Sequence, residues 1–367
     1  MIIDSHAYCF TAPDTAAGHA SSAQHMEFWQ RGYALHHQPA FRVRDRQPGD
    51  SRLLINPTPS DSLQIAPGRN FRVDRVCNRL VWTIDTEDYT KQQLPPNVIE
   101  FSAGALIGEM DHADVDWALL HVDATLSKDL SALVSYVRAF PNRLRAMAPV
   151  DEWLIPGNPE MAIMQAQEAI LAHGLHALKI IPEYAYRMTN SCSFNEPSWS
   201  PFWDAVVALG VPLFFTLGER PNSTNPRQGF IEELHELRRW QERYPAVTVS
   251  VTHGFNWRDF LNGNEFVLPR EMWEPFADSN FCLEVGFPFR IGDLFDYPYA
   301  ECRPVIEAMI RHIGPDRLLW GTDMPFQNRF CTYRQSRHYI EKYCQNFIST
   351  EDLAKIMGGT AARVLGL

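Results

Sequence analysis

The chain opens with MIIDSHAYCF, Met1 to Phe10. Ile2 and Ile3 make a short apolar run that stops abruptly at Asp4, Ser5 and His6. A buried strand that runs into polar side chains predicts an end that opens into a site. His6 and Tyr8 are two apart, so on an extended backbone they point the same way. No Gly-rich turn of the GxGxxG kind follows this strand, which disfavours an open, doubly wound sheet.

Working outward, seven more short apolar runs repeat the pattern. Strands are expected at 1–6, 115–121, 144–150, 175–181, 211–217, 246–253, 280–285 and 316–322. Each is followed by a helix, or by an insertion and then a helix. Gly174, Gly210 and Gly314 close three of those helices, as glycine after a last turn does. Short apolar strands alternating with helices predict a parallel sheet, and eight such units predict a closed (β/α)8 barrel.

The stretch from 11 to 97 stands apart. It is rich in turn formers (QPGD, INPTPSDS, APGRN, QQLPPN) and weak in periodicity. We read it as a cap-like insertion within a single 1–367 barrel domain, lying over the open end and partly helical around Met26–His36. Phe28, Trp29, Tyr33, Phe41, Phe71 and Trp82 make it too apolar for a disordered excursion. Its arginines between Arg42 and Arg79 read equally as a solvated loop or as a surface that draws in an anion. His19, His25, His36 and His37 are placed on the surface by default.

The 367 residues are 45% hydrophobic and 21% charged, enough to bury a sizeable core. The 22 Phe and ten Trp suit an aromatic-lined pocket as well as a heavy core. A net charge of −11 argues against nucleic acid or an anionic membrane as a general partner. Seven scattered cysteines without a CxxC pair suggest a reducing, cytoplasmic setting. No signal-like start or membrane-length apolar run is present, so a soluble protein is expected.

In a barrel of this kind, active sites lie at the C-terminal ends of the strands. The polar residues at those ends are His6, Tyr8, His121, Asp123, Lys179, Thr216, His253, Glu284 and Asp323. Their convergence from distant parts of the chain is the main argument for an enzyme. Lys179 is read as holding a substrate anion or as paired with Glu183 or Glu284, and Tyr8 as a substrate donor or as barrel filling. Thr216 is read as structural.

IIDSHAY (2–8), ALKIIP (177–182), VTHG (251–254), LLWGTDMPF (318–326) and GGTAARVLGL (358–367) resemble the amidohydrolase superfamily. The nearer resemblance is to its aminocarboxymuconate semialdehyde decarboxylase-like branch of decarboxylases and hydrolases. It implies metal ligands on the first strand, with Tyr8 and Thr216 standing where two ligands are usual. It also implies that His253 and Asp323 are catalytic, and allows a homodimer. His6, His253 and Asp323 would still form a ligand set for a divalent metal, zinc by preference.

Without a metal, His253 and Asp323 would work as an acid/base pair, with Tyr8 and Lys179 on the substrate. The expected function is hydrolysis or decarboxylation of a small carboxylated compound, aromatic-derived or dienoic. The alternative is a barrel that has lost catalysis and serves as a binding or scaffold protein.

Overall fold

The computed structural model describes residues 1–56, 64–286 and 288–367. Most of the INPTPSDS turn stretch therefore lies outside the described residues.

Eight parallel strands form one sheet in sequential order: Ile3–Ala7, Trp117–Leu120, Leu144–Ala148, Ala177–Ile180, Leu213–Phe215, Val249–Val251, Cys282–Val285 and Leu318–Trp320. Backbone bonds bring the last strand beside the first: Asp323 N donates to His6 O at 2.9 Å, and Tyr8 N to Met324 O at 2.8 Å. Asp4 reinforces that seam. Its carboxylate accepts from Thr322 Oγ1 at 2.6 Å and Tyr333 Oη at 2.7 Å. Burial pushes this carboxyl up to about 7 against the opposing effect of those bonds. The fold is the expected (β/α)8 barrel.

Every residue of the first strand is buried, as a parallel strand covered on both faces should be. The observed strands are shorter than the expected runs at most ends. The polar residues Thr216, His253 and Asp323 stand just past the last ladder residue, on the loops. Gly174 and Gly210 sit at φ 70°, a conformation that a side chain would strain, and so end their helices.

One expectation fails at the sixth strand. It is followed by the 3₁₀ turn Trp257–Phe260 and a small hairpin, Leu261–Asn262 with Glu265–Phe266, before the seventh strand begins. The run 255–276 carries six aromatic side chains but three prolines or glycines and little helical spacing, so local turns win. The aromatic surplus belongs partly to core: Trp199 stacks on Trp203, and Trp203 meets Trp240 edge-on at 5.1 Å.

The chain divides into two compact units: Met1–Tyr8, Ile107–His121 and Ser131–Leu367 form the barrel unit, and Cys9–Leu106 with Val122–Leu130 form the second. The second unit carries the helix Ser22–Leu35, capped by Ser21, whose side chain accepts from Gln24 N. It also holds a five-stranded antiparallel sheet of Pro48–Gly49, Ala40–Arg42, Glu87–Lys91, Arg79–Ile84 and Arg72–Asp74. Arg42, Arg44, Arg72 and Arg75 pair with Asp45, Glu87, Asp88 and Asp14. His19 and His25 are buried, contrary to their surface placement above. His19 Nε2 lies 2.8 Å from Ala124 O and His25 Nε2 lies 2.9 Å from Thr125 O. The seven cysteines form no disulfide. Among the described residues no helix is long and apolar enough to cross a membrane.

Candidate active site

His6 is the hub of a buried cluster at the C-terminal ends of the strands. Its Nδ1 lies 2.9 Å from Glu284 Oε2, on the seventh strand. Because a carboxylate only accepts, His6 donates from Nδ1 there. On the other side Nε2 meets Tyr8 Oη at 3.0 Å and Asp323 Oδ1 at 3.1 Å. The ring stacks on His121 with centroids 3.5 Å apart.

Glu284 fastens three strands. It accepts from Ser5 Oγ at 3.2 Å and from the backbone N of His253 at 2.9 Å, besides His6. His253 Nε2 faces Asp323 Oδ1 at 3.5 Å. Its Nδ1 lies 3.3 Å from Thr252 Oγ1 and 3.2 Å from Arg290 Nη2, on the short helix Pro288–Ile291. Lys179 donates to Tyr8 Oη at 2.7 Å.

The two residues singled out as catalytic from the sequence share an unusual backbone. His253 has φ 63° and Asp323 has φ 66°, left-handed positions that non-glycine residues seldom adopt. Strain of this kind persists where surroundings enforce it, and it clusters at functional sites.

The electrostatics follow from burial and neighbours. Burial alone would lower the His6 imidazole, but Glu284 and Asp323 on its two sides outweigh it and raise it. Burial would raise Asp323, yet His6 and His253 hold its carboxyl well below the usual range. His253 is pushed well down by burial and then by Arg290. His121 is pushed well down by burial, by His6 and by Lys179. The shifts thus oppose one another within the cluster: His6 and Asp323 are moved toward their charged forms, His253 and His121 toward their neutral ones.

Of the expected residues, His6, Tyr8, His121, Lys179, His253, Glu284 and Asp323 meet here. Lys179, read as holding a substrate anion or as paired with Glu183 or Glu284, donates to Tyr8 Oη. Thr216 Oγ1 bonds Thr252 Oγ1 at 2.7 Å. Asp123 belongs to the second unit, where its Oδ1 accepts from Thr125 N at 2.8 Å. Sequence reasoning missed Arg290, because it lies five residues beyond a strand, Cys282–Val285, whose end is itself hard to place. Two sets of three ligand atoms lie within 4.8 Å of one another, His6–His253–Asp323 and His6–His121–Glu284.

An eight-stranded barrel with histidines and carboxylates gathered at its strand ends defines a class of enzymes. The amidohydrolase family model matches residues 159–367, and the chain belongs to that family. No curated protein sequence matches it. Among solved structures it is similar to 5-carboxyvanillate decarboxylase from Sphingomonas paucimobilis, at 19% identity and TM-score 0.52, covering 73% of this chain and 84% of that one. A probable 2-pyrone-4,6-dicarboxylic acid hydrolase from Acinetobacter baumannii, with citric acid bound, is 14% identical at TM-score 0.55, covering 75% and 95%. A dihydroxybenzoic acid decarboxylase from Polaromonas sp., with manganese and 2-nitroresorcinol bound, is 19% identical at TM-score 0.51, covering 73% and 87%.

Proposed function

We propose that the protein hydrolyses or decarboxylates a small carboxylated compound, aromatic-derived or dienoic, at the His253–Asp323 pair. The observation that carries this reading is the convergence of His6, His253 and Asp323 from the first, sixth and eighth strands, with Asp323 Oδ1 3.1 Å and 3.5 Å from the two imidazoles. The similar decarboxylases and the hydrolase take carboxylated or dihydroxylated rings, by their names, which supports the substrate class.

Asp323, ionised and facing two imidazoles, is the proton acceptor. It takes a proton from an attacking water as the water oxygen adds to a carbonyl, or from a substrate hydroxyl as the carboxylate is lost. His253 hydrogen-bonds the oxygen on which negative charge builds. The proton held by Asp323 then passes to the leaving oxygen or to the carbon that carried the carboxylate. Lys179, through Tyr8, and Arg290 supply the positive potential that draws a carboxylated substrate in.

A divalent metal at this point would take Nε2 of His6, Nε2 of His253 and Oδ1 of Asp323. Asp323 Oδ1 is buried and lacks a well-aligned hydrogen bond among the described residues, which suits an ion. Zinc suits such nitrogen and oxygen donors, and binding would displace any proton on the imidazole nitrogens. His253 fits the set poorly, because Arg290 Nη2 lies against its other nitrogen. Two well-disposed donors fall short of the three protein ligands of a catalytic zinc site. No step above runs through a metal.

A panel of carboxylated aromatics, lactones and dienoic acids, assayed before and after exhaustive chelation, tests the reading. Turnover of at least one member that survives chelation and falls about 100-fold or more in His253→Gln is expected. Turnover lost on chelation and restored by zinc or manganese would overturn the metal-free step. An inert protein across the whole panel would favour the binding or scaffold reading.

A further inference from the structure

His253 has two possible parts, ligand or hydrogen donor, and its surroundings discriminate between them. A guanidinium offers five N–H donors and no acceptor, and keeps its proton inside proteins. The 3.2 Å contact between Arg290 Nη2 and His253 Nδ1 therefore runs from arginine to imidazole, and Nδ1 supplies the lone pair. A neutral imidazole that accepts at Nδ1 carries its proton on Nε2, the nitrogen that faces Asp323 Oδ1 at 3.5 Å.

The threonine pair agrees with this direction. Thr216 Oγ1 lies 2.7 Å from Thr252 Oγ1, which lies 3.3 Å from the same His253 Nδ1. A donor chain from Thr216 to Thr252 to His253 satisfies all three groups in one sense. His6 has the opposite arrangement. Its Nδ1 faces an acceptor, Glu284 Oε2, at 2.9 Å, so Nδ1 is the protonated nitrogen and Nε2 is the one turned to Asp323 and Tyr8.

We propose that Arg290 is a positioning residue which, by donating to Nδ1, holds His253 as the Nε2–H form. This makes His253 a neutral hydrogen-bond donor toward developing negative charge and removes it from metal coordination, leaving His6 and Asp323 as the pair able to meet a cation. A neutral imidazole donates such a bond without surrendering its proton, so no imidazolate forms and Asp323 remains the group that moves protons. The assignment rests on the acid/base reading above for its purpose, but its test does not require turnover.

The test is the ring ¹⁵N spectrum of protein labelled with ¹⁵N-histidine, with the His253 signals identified by their loss in His253→Gln. For the wild type at neutral pH, a protonated Nε2 and an unprotonated Nδ1 are expected. Arg290→Met is expected to move His253 toward the Nδ1–H form, and added zinc to leave the wild-type His253 Nε2 signal in place. A wild-type His253 protonated at Nδ1, an unchanged His253 spectrum in folded Arg290→Met, or zinc displacing the Nε2 proton would each overturn the assignment. Should Arg290→Met not fold, the wild-type spectrum decides alone. A protein inert to every substrate yet showing these spectra would refute the functional reading and leave the assignment intact.

Discussion

Tyr8 sits between a lysine and a histidine, with Lys179 Nζ 2.7 Å and His6 Nε2 3.0 Å from its hydroxyl. All three side chains are buried. Tyr8→Phe removes an acceptor for a buried ammonium, and a hydrogen bond to a charged group contributes about 1.5–3 kcal/mol. A loss of that size is expected in the free energy of unfolding, read from denaturant midpoints at unchanged slope. At this scale the site was partly legible before the fold was known. His6, His253 and Asp323 could be picked out because each follows an apolar run, and Lys179 because it interrupts one. Glu284 ranked low by the same rule, although it orients His6 and anchors His253, because Val285 follows it and the run has no clear polar end. Arg290 left no trace in the pattern. Its role depends on a loop path, and loop paths are not written in periodicity.

The sixth strand and its loop set His253, and the backbone there is doubly constrained. His253 at φ 63° is followed by Gly254 at φ 72°, and a Cβ on Gly254 would lie 3.2 Å from Glu284 O. A side chain in the left-handed region costs about 1–2 kcal/mol, so Gly254→Ala is expected to lower stability by that amount. It should also lower kcat more than it raises KM, since the displaced group is His253. Steady-state kinetics with a thermal melt check both. Barrel strands were legible as elements because burial on both faces makes them continuous apolar runs, such as LFF at 213–215. The antiparallel sheet of the second unit was not. Its strands are two to six residues long, and the turn joining Arg79–Ile84 to Glu87–Lys91 is Asp85–Thr86 at φ 52° and 89°. Asp-Gly or Asn-Gly would have announced that hairpin; Asp-Thr conceals it.

For the whole molecule, pH acts through carboxyls buried in the barrel unit. Burial pushes Glu233 up to about 8, although Arg220 Nη1 lies 3.9 Å away and Tyr186 Oη donates to it at 3.3 Å. Its neighbour Glu236 goes the other way: bonds from Ser193 and Arg239, with Arg220 at 3.0 Å, outweigh burial and hold it at about 2. Glu233 binds a proton more tightly in the folded chain than in the unfolded one. Its contribution is complete below an ordinary glutamate pKa and is lost as pH rises through about 8. Glu236 contributes above the ordinary value and loses its contribution as pH falls toward 2. Calorimetry is expected to show the melting temperature falling from about pH 5 to about pH 9, with a shallower fall in Glu233→Gln. A steeper fall in that variant would refute the attribution. The proposed catalysis is a second property of the whole barrel, because Asp323 is brought to His6 and His253 only when the eighth strand closes on the first. The most direct measurement of the central claim is kcat/KM of Asp323→Asn on the best substrate of the carboxylate panel. A fall of about 100-fold or more with a near-unchanged melting temperature is predicted; an unchanged kcat/KM would contradict the account.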